Sequence, residues 1–386
     1  MSETADVVIV GGGIVGASIA WHLSEAGCLN VLVLEREPHL GRGSTGKSMG
    51  GVRAQFATEI NIRLSLYALD FFAHFEEATG CPSGYRPQGY LFVASQDKHL
   101  TYLRTNYQLQ VSCGMKSVKL LSPAEVLDRM PHLRADDILG GSFHPIDGFV
   151  DPHSVMTGFI RRAGESGVRL WKGTEASAIV RDAQGIAGVE TTRGPVATRV
   201  VVNAAGPWAA RVAALAGIEL PVEPLRRMLV PSEPFPRIAR EAPMTIDMAT
   251  GFHFRPEGLG VLLAWNDPEE TPGFKTDVDP AFIEKILTRA ADRVPCFETL
   301  EVNPKRAWAG LYEMTPDHYP ILGPVPTVPG FFLANGFSGH GVMHSPATGK
   351  VLADLILKGR TELIDARALD LARFAEGRLI HETAVL

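Results

Sequence analysis

The sequence predicts an α/β fold, in which a Rossmann-like dinucleotide-binding domain is joined to an α+β domain built on a mixed or antiparallel sheet. Three observations carry this expectation. The first forty residues read strand, glycine-rich turn, helix, strand. Two β-rich runs flanked by Pro and Gly, "GYRPQGYLFVA" and "HFRPEGLGVLLAW", interrupt the middle of the chain. The 386 residues, 45% hydrophobic and 21% charged, suffice for two domains with real cores.

The first element is "DVVIVGGGIVGASIAWHLSEAG". Val7 to Val10 is a short β-branched run, as in a buried parallel strand. Gly11, Gly13 and Gly16 then form G-x-G-x-x-G. Gly11 allows the turn, Gly13 lets a pyrophosphate approach the backbone, and Gly16 lets helix and strand pack closely; the helix N-terminus offers free N–H groups to the phosphates. The helix carries apolar Ile19 and Leu23 and stops near Gly27. A second strand, "NVLVLE", ends at Glu35, where an acid takes the ribose hydroxyls.

The next stretch, "GRGSTGKS" at 41–48, matches the G-x-x-x-x-G-K-[ST] P-loop pattern. Its surroundings argue against a nucleotide triphosphatase. The strand before it belongs to the dinucleotide unit, and Met49, Gly50 and Gly51 make a poor helix start. The expectation is a glycine-rich loop lying along a long dinucleotide, offering backbone N–H groups and the Ser44 and Thr45 hydroxyls. Arg53 follows at the reacting end.

Charge and cysteines narrow the function. The net charge is −6 with no cluster of basic residues, which disfavours nucleic acid. Cys28, Cys81, Cys113 and Cys296 form no C-x-x-C and fit a reducing compartment. The start, "MSETAD", is unlike a signal peptide, and no apolar run near it is long enough to span a bilayer. A cytoplasmic protein without a transmembrane segment is expected. His340 and His344, four apart, lack the glutamate of H-E-x-x-H, and no metal is expected. "GFSGH" lacks the last glycine of a nucleophile elbow.

Four stretches, in order along nearly the whole chain, resemble the FAD-dependent amine and amino-acid oxidoreductases that include D-amino-acid oxidase, glycine oxidase and sarcosine oxidase. They are "VVIVGGGIVGASIAWHL", "GRGSTGKSMGGVRAQF", "VVVNAAGPWA" at 200–209 and "GFFLANGFSGHGVMHSPATGKVLADLI" at 330–356, with "MTPDHYPILGP" at 314–324 adding to them. The likeness is nearest to the sarcosine oxidase β-subunit and related amino-acid dehydrogenase β-subunits. It implies a discontinuous FAD-binding domain at 1–83, 142–222 and 317–386, and a substrate domain at 84–141 and 223–316.

The resemblance implies non-covalent FAD. Its contacts would come from Gly11, Gly13, Ile14, Val15 and Gly16, then from Glu35 and Arg36. The loop would add Gly43, Ser44, Thr45, Lys47, Gly50 and Gly51, and later segments Ala178, Ala205, Gly206, Trp208 and Gly310. Gly336, Ser338, Gly339, His340, Gly341, Val342 and Met343 would meet the flavin, with the helix that follows directing its positive end at the ring.

The implied chemistry is oxidation of a C–N bond in a secondary amine or amino acid, sarcosine-like, proline-like or a D-amino acid. A hydride passes to flavin N5 and the imine is hydrolysed. The protein acts alone or with partner subunits, as an oxidase or a dehydrogenase passing electrons to another acceptor. Arg53 matches a carboxylate-binding arginine, a task that suits a bidentate guanidinium; an ordinary salt bridge is the alternative. His253 and Tyr312 fall on pocket positions and orient the carboxylate or amine, or pack in the core. Met343 replaces a carboxylate-binding lysine, Asn266 a pocket histidine, and Leu262 the lysine that activates oxygen, which tilts the expectation towards a dehydrogenase. Gly310 and Pro152, with His153 beside it, stand where relatives tether flavin covalently. The competing functions are a flavin monooxygenase, with no sign of a nicotinamide site, and a non-catalytic FAD-binding subunit of a multi-subunit amine dehydrogenase.

Overall fold

The computed structural model describes residues 3–380; residues 1–2 and 381–386, the outer ends of the expected 1–83 and 317–386 segments, lie outside the described residues. Two large sheets organise the chain. In chain order their strands are β1 (Val7–Val10), β2 (Val31–Glu35), β3 (Tyr90–Ala94), β4 (Lys119–Leu121), β5 (Gly140–His144), β6 (Arg169–Lys172) and β7 (Val201–Asn203). They continue with β8 (Glu223–Pro231), β9 (Met244–Asp247), β10 (His253–Glu257), β11 (Gly260–Ala264), β12 (Trp308–Met314), β13 (Ile321–Pro324) and β14 (Phe331–Asn335).

The first sheet has the order β13-β14-β7-β1-β2-β6. From β14 to β6 every pairing is parallel, and β13 closes the edge antiparallel. Period-two alternation buries both of its faces. Val7 and Ile9 of β1, with Val31 and Val33 of β2, pack against α1 (Ile14–Glu25), α2 (Glu59–Ala73), α3 (Pro152–Glu165) and α4 (Gly341–Lys358). Val8, Val10, Leu32 and Leu34 face a core shared with a smaller four-stranded sheet that contains Ala176–Asp182 and Gly185–Thr191.

The second sheet has the order β12-β8-β11-β10-β9-β3-β5-β4. It is antiparallel apart from β9 beside β3, and so mixed. One face, with Leu91, Val93, Met228, Val230, Phe254 and Leu263, packs with Phe282 and Ile286 of the helix Pro280–Arg293 in a separate core. The alternate residues look the other way, towards the first sheet. The expected boundary at 141/142 falls inside β5, and the last strand of this sheet ends at Met314.

Helices α1 and α4 cross closely because Gly349 has no side chain. A Cβ there would lie 2.3 Å from both Ser18 Oγ and His22 Nδ1 and 2.7 Å from the Ser18 carbonyl oxygen. Inside α4, Pro346 cannot donate to the Val342 carbonyl one turn back; the Ser345 hydroxyl donates to it instead, at 2.9 Å.

Candidate functional site

The strand ends Val10, Leu34 and Ala204 of the first sheet, together with the inward face of the second, line one cavity enclosing about 2130 Å³, its open mouth included. The ends concerned are C-terminal, where open parallel sheets bind ligands.

The turn after β1 is shaped by missing side chains. Gly11 has φ +117°, and a Cβ there would lie 2.3 Å from the Ala204 carbonyl oxygen; a Cβ on Gly16 would lie 2.0 Å from the Gly11 oxygen. Gly16 therefore closes the helix onto the turn without lining the cavity itself, whereas Gly11, Gly13, Ile14 and Val15 do line it. The α1 N-cap, Gly13, offers no side chain. The Thr45 hydroxyl accepts from the Ile14 N–H at 3.0 Å, reaching the helix start from the glycine-rich loop. The Glu35 carboxylate accepts from Gly12 N at 3.0 Å and Glu37 N at 2.8 Å, so it is held at the mouth of the turn. Arg36 stacks over Trp208, its Cζ 4.2 Å from the ring.

The 41–48 stretch is no P-loop. It forms turns and one 3-10 turn, Thr45–Lys47, followed by the short strand Gly51–Val52 rather than a helix. It is fastened to β12 instead. The Ser44 hydroxyl donates to the Leu311 carbonyl at 2.6 Å, the Trp308 indole to the Lys47 carbonyl at 2.9 Å, and a Cβ on Gly310 would meet Lys47 Cβ at 2.7 Å. Gly43, Ser44, Thr45, Lys47 and Gly51 line the cavity, as do Ala205, Gly206, Trp208 and Gly310. Gly50 does not; at φ +74° it packs against the Val150 carbonyl.

On the opposite wall, Ser338, Gly339, His340, Gly341, Val342 and Met343 line the cavity at the start of α4. A Cβ on Gly339 would press the Tyr312 ring at 2.5 Å. Gly336 sits behind this wall against Thr315. Ala178 does not line the cavity: it lies further along the small sheet, and Thr174, Glu175 and Ala176 occupy that wall.

Arg53 is 2% exposed and faces the cavity. Its Nη1 donates to the Gln55 carbonyl at 2.5 Å, and its Cζ lies 4.0 Å from the Phe56 ring. No carboxylate pairs with it among the described residues. The segment carrying it is pinned by fully buried Asp147, which accepts from Ala54 N at 2.9 Å and from the Gln55 amide at 3.0 Å. Among the described residues it thus makes no salt bridge, and a buried guanidinium without a counter-ion is energetically costly.

His253, Arg227, Tyr312, Tyr90 and Ile246 share the inward face of the second sheet by register and line the same cavity. His253 Nδ1 donates to the Gly251 carbonyl at 2.9 Å, so Nε2 is left as an acceptor. Burial, with Arg53 and Arg227 nearby, pulls its pKa down to about 4, so it is neutral at pH 7. Burial raises the Tyr312 and Tyr90 phenols and keeps them protonated. Glu313, also at the cavity, is pushed up to about 7 by burial, against hydrogen bonds from the backbone at Gly336 and Phe337. Leu262 is buried beside Met49 and Trp308, while Asn266 reaches the cavity. None of the four cysteines lines the cavity, nor does His153. No group of three or more His, Cys, Asp or Glu able to hold a metal occurs among the described residues.

Sequence reading missed Tyr90, Arg227, Glu313 and Thr174–Ala176. For the first two a signal existed: each alternates with a core residue on a strand, Tyr90 with Leu91 and Arg227 with Met228. Which face looks at the cavity is set only when the two sheets meet.

Comparison with known proteins adds the following. A family profile described as "FAD dependent oxidoreductase" (DAO) matches residues 6–355. The FAD-dependent oxidoreductase domain-containing protein 1 of Xenopus laevis is 35% identical, over 96% of this chain and 83% of that protein. Human mitochondrial sarcosine dehydrogenase is 30% identical over 97% of this chain, which spans 42% of that protein. The crystal structure of L-proline dehydrogenase from P. horikoshii superimposes with a TM-score of 0.91 at 31% identity, covering 98% of this chain and 100% of that one.

Proposed function

The chain belongs to the DAO family of FAD-dependent oxidoreductases, and on that footing we propose that it oxidises the C–N bond of a secondary amine or amino acid whose carboxylate is held by Arg53. The observation that carries this reading is the buried, uncompensated Arg53 guanidinium in the cavity of a flavoenzyme fold.

The residues present fit FAD. The turn can close tightly because Gly11 and Gly16 have no Cβ to strike the backbone, its glycines leave the N–H groups of the α1 start open to a diphosphate, the first turn of α1 carries no acidic residue, and Glu35 is poised for the ribose. With no cysteine and no His153 lining the cavity, non-covalent binding is the reading we favour. When bound, FAD supplies the acceptor for the hydride that leaves the carbon beside nitrogen. This chain's residues do the rest. Arg53 fixes the carboxylate, and thereby the C–H bond, in one orientation. Neutral His253 presents a lone pair to the N–H of an amine that reaches the site already unprotonated. The Tyr312 hydroxyl, with no hydrogen bond among the described residues, is free to donate to the carboxylate. Water then adds to the imine carbon, releasing the amine and a carbonyl compound.

Leu262, where a lysine would assist oxygen, supports a dehydrogenase that passes its electrons to another acceptor or a partner subunit. The four free cysteines fit a reducing compartment such as the cytoplasm. The reading is tested by mixing the yellow holoprotein anaerobically with N-methyl amino acids, proline, and D- and L-amino acids. Bleaching of the flavin band by at least one is expected, with little peroxide once air is admitted. A flavin that none of them reduces would leave a cofactor-binding subunit.

A further inference from the structure

Two consecutive arginines on β8 have opposite fates. Arg226, on the face away from the cavity, is ion-paired to Glu270 at 2.7 Å. Arg227 points into the cavity, where its Cζ lies 5.3 Å from the Tyr312 ring centroid. Its only hydrogen bond among the described residues goes to the Arg226 carbonyl at 3.2 Å, and its Nε is buried without a partner. The carboxylates electrostatically nearest to it are already engaged. Glu270 takes Arg226 and Lys275, the latter at 3.2 Å, and Asp267 takes Lys285 at 3.0 Å. The cavity carboxyl Glu313 makes no ion pair with it and is held up towards its protonated form.

Arg227 and Arg53 thus reach one space from two walls. Both lie near enough to His253 and Tyr312 to act on their charge states. A single carboxylate satisfies one guanidinium and leaves the other desolvated and unpaired, which a folded protein tolerates poorly. A second anionic group on the same molecule removes that penalty. We propose that Arg227 is a second anion-binding residue of the substrate site, and that the substrate is an amine carrying two carboxylates, one on Arg53 and the other on Arg227. This rests on the reading of Arg53 given above.

The test is calorimetric titration of the holoprotein with non-oxidisable acids: acetate and propionate against malonate, succinate and glutarate. At least one dicarboxylate is expected to bind ten-fold or more tightly than either monocarboxylate. In Arg227→Gln that ratio should fall to within about two-fold of unity while flavin content stays at the wild-type level, and Arg227→Lys should recover part of it. Equal affinities in the wild type, an unchanged ratio in Arg227→Gln, or loss of flavin in place of loss of the ratio would overturn the proposal. Anaerobic bleaching by both enantiomers of N-methylaspartate and N-methylglutamate, beside sarcosine and proline, separates the two readings. Reduction by the monocarboxylates alone refutes the dicarboxylate site and keeps C–N oxidation. Preferential dicarboxylate binding with no bleaching does the reverse.

Discussion

Arg53 and Glu313 both line the cavity, one a buried cation without a carboxylate partner among the described residues and the other a carboxyl held up by burial. Arg53 is held by Gln55 and Asp147 through the backbone rather than by a counter-ion. Removing it deletes a charged hydrogen bond worth about 1.5–3 kcal/mol. Arg53→Ala should therefore raise the dissociation constant of carboxylate ligands by roughly ten-fold to a hundred-fold, measured by titration of the flavin spectrum; unchanged affinity removes it from the site. Glu313 acts in the opposite sense. Its folded pKa, about 7, lies above its ordinary value. The unfolded chain gives up this proton first, so stability is present at low pH and lost as pH rises from about 4.5 through 7. Glu313→Gln keeps an acceptor for Gly336 and removes the charge. It should raise the thermal midpoint at pH 8, by the equivalent of about 1–3 kcal/mol, and change little at pH 5; a gain independent of pH would contradict the assignment. Residues such as Gly11, Gly16 and Glu35 were legible because their work is local to one turn. Arg227, Tyr90 and Glu313 were not, because whether they reach the cavity depends on which face of a distant sheet lines it.

At the scale of elements, the α1–α4 crossing shows packing overriding propensity. Gly349 lies mid-helix, where alanine is intrinsically better by about 1 kcal/mol. The added methyl would meet the Ser18 backbone oxygen at 2.7 Å, and backbone cannot rotate aside. Overpacking of this kind costs about 1–3 kcal/mol, so Gly349→Ala should lower the thermal midpoint despite its helix propensity; a rise would show that α4 shifts freely. The same crossing sets the direction of α4, whose N-terminal residues Gly341–Met343 line the cavity. The strand–turn–helix–strand of residues 7–35 and the strand–loop–helix of 331–358 were readable from periodicity and glycine spacing. The middle of the second sheet was not: the helix Asp97–Ser112 and strand β4 carry weak patterns, and the expected boundary cut through β5, whose "GGSFH" has two glycines and little β-propensity. Three-dimensional pairing with β3 holds that strand in place.

For the whole molecule, pH sensitivity follows from four histidines held in their neutral form, His253 of the cavity among them. Burial pulls His22 to about 4 and His344 to about 3, and holds His340 well below its ordinary value. Each takes up a proton on unfolding once pH drops below about 6.5, so their stability is present above that value and is lost as pH falls. Each contributes a slope of up to about 1.4 kcal/mol per pH unit, and Glu313 offsets one of the four. The urea midpoint should therefore fall between pH 6.5 and 5, where other carboxylates are still ionised; a flat profile would mean that these histidines are hydrated. The fold class was foreseeable because four stretches resembling those of one family recur in order along the chain. How the two sheets divide between them a single cavity was not, since no local pattern encodes the approach of β12 to the loop at 41–48.

That fastening, Ser44 to Leu311 and Trp308 to Lys47, joins positions more than 260 residues apart, and β1 likewise waits for β7 and, beyond it, β14. During translation the "VVIV" strand leaves the ribosome with one edge unpaired and stays so until residue 203 has emerged. A vitamin-derived ligand added to the nascent chain would find only half a binding groove until strand 308–314 arrives. The groove is thus completed late in synthesis, and until then the unpaired strand edges invite association with other chains and capture by chaperones.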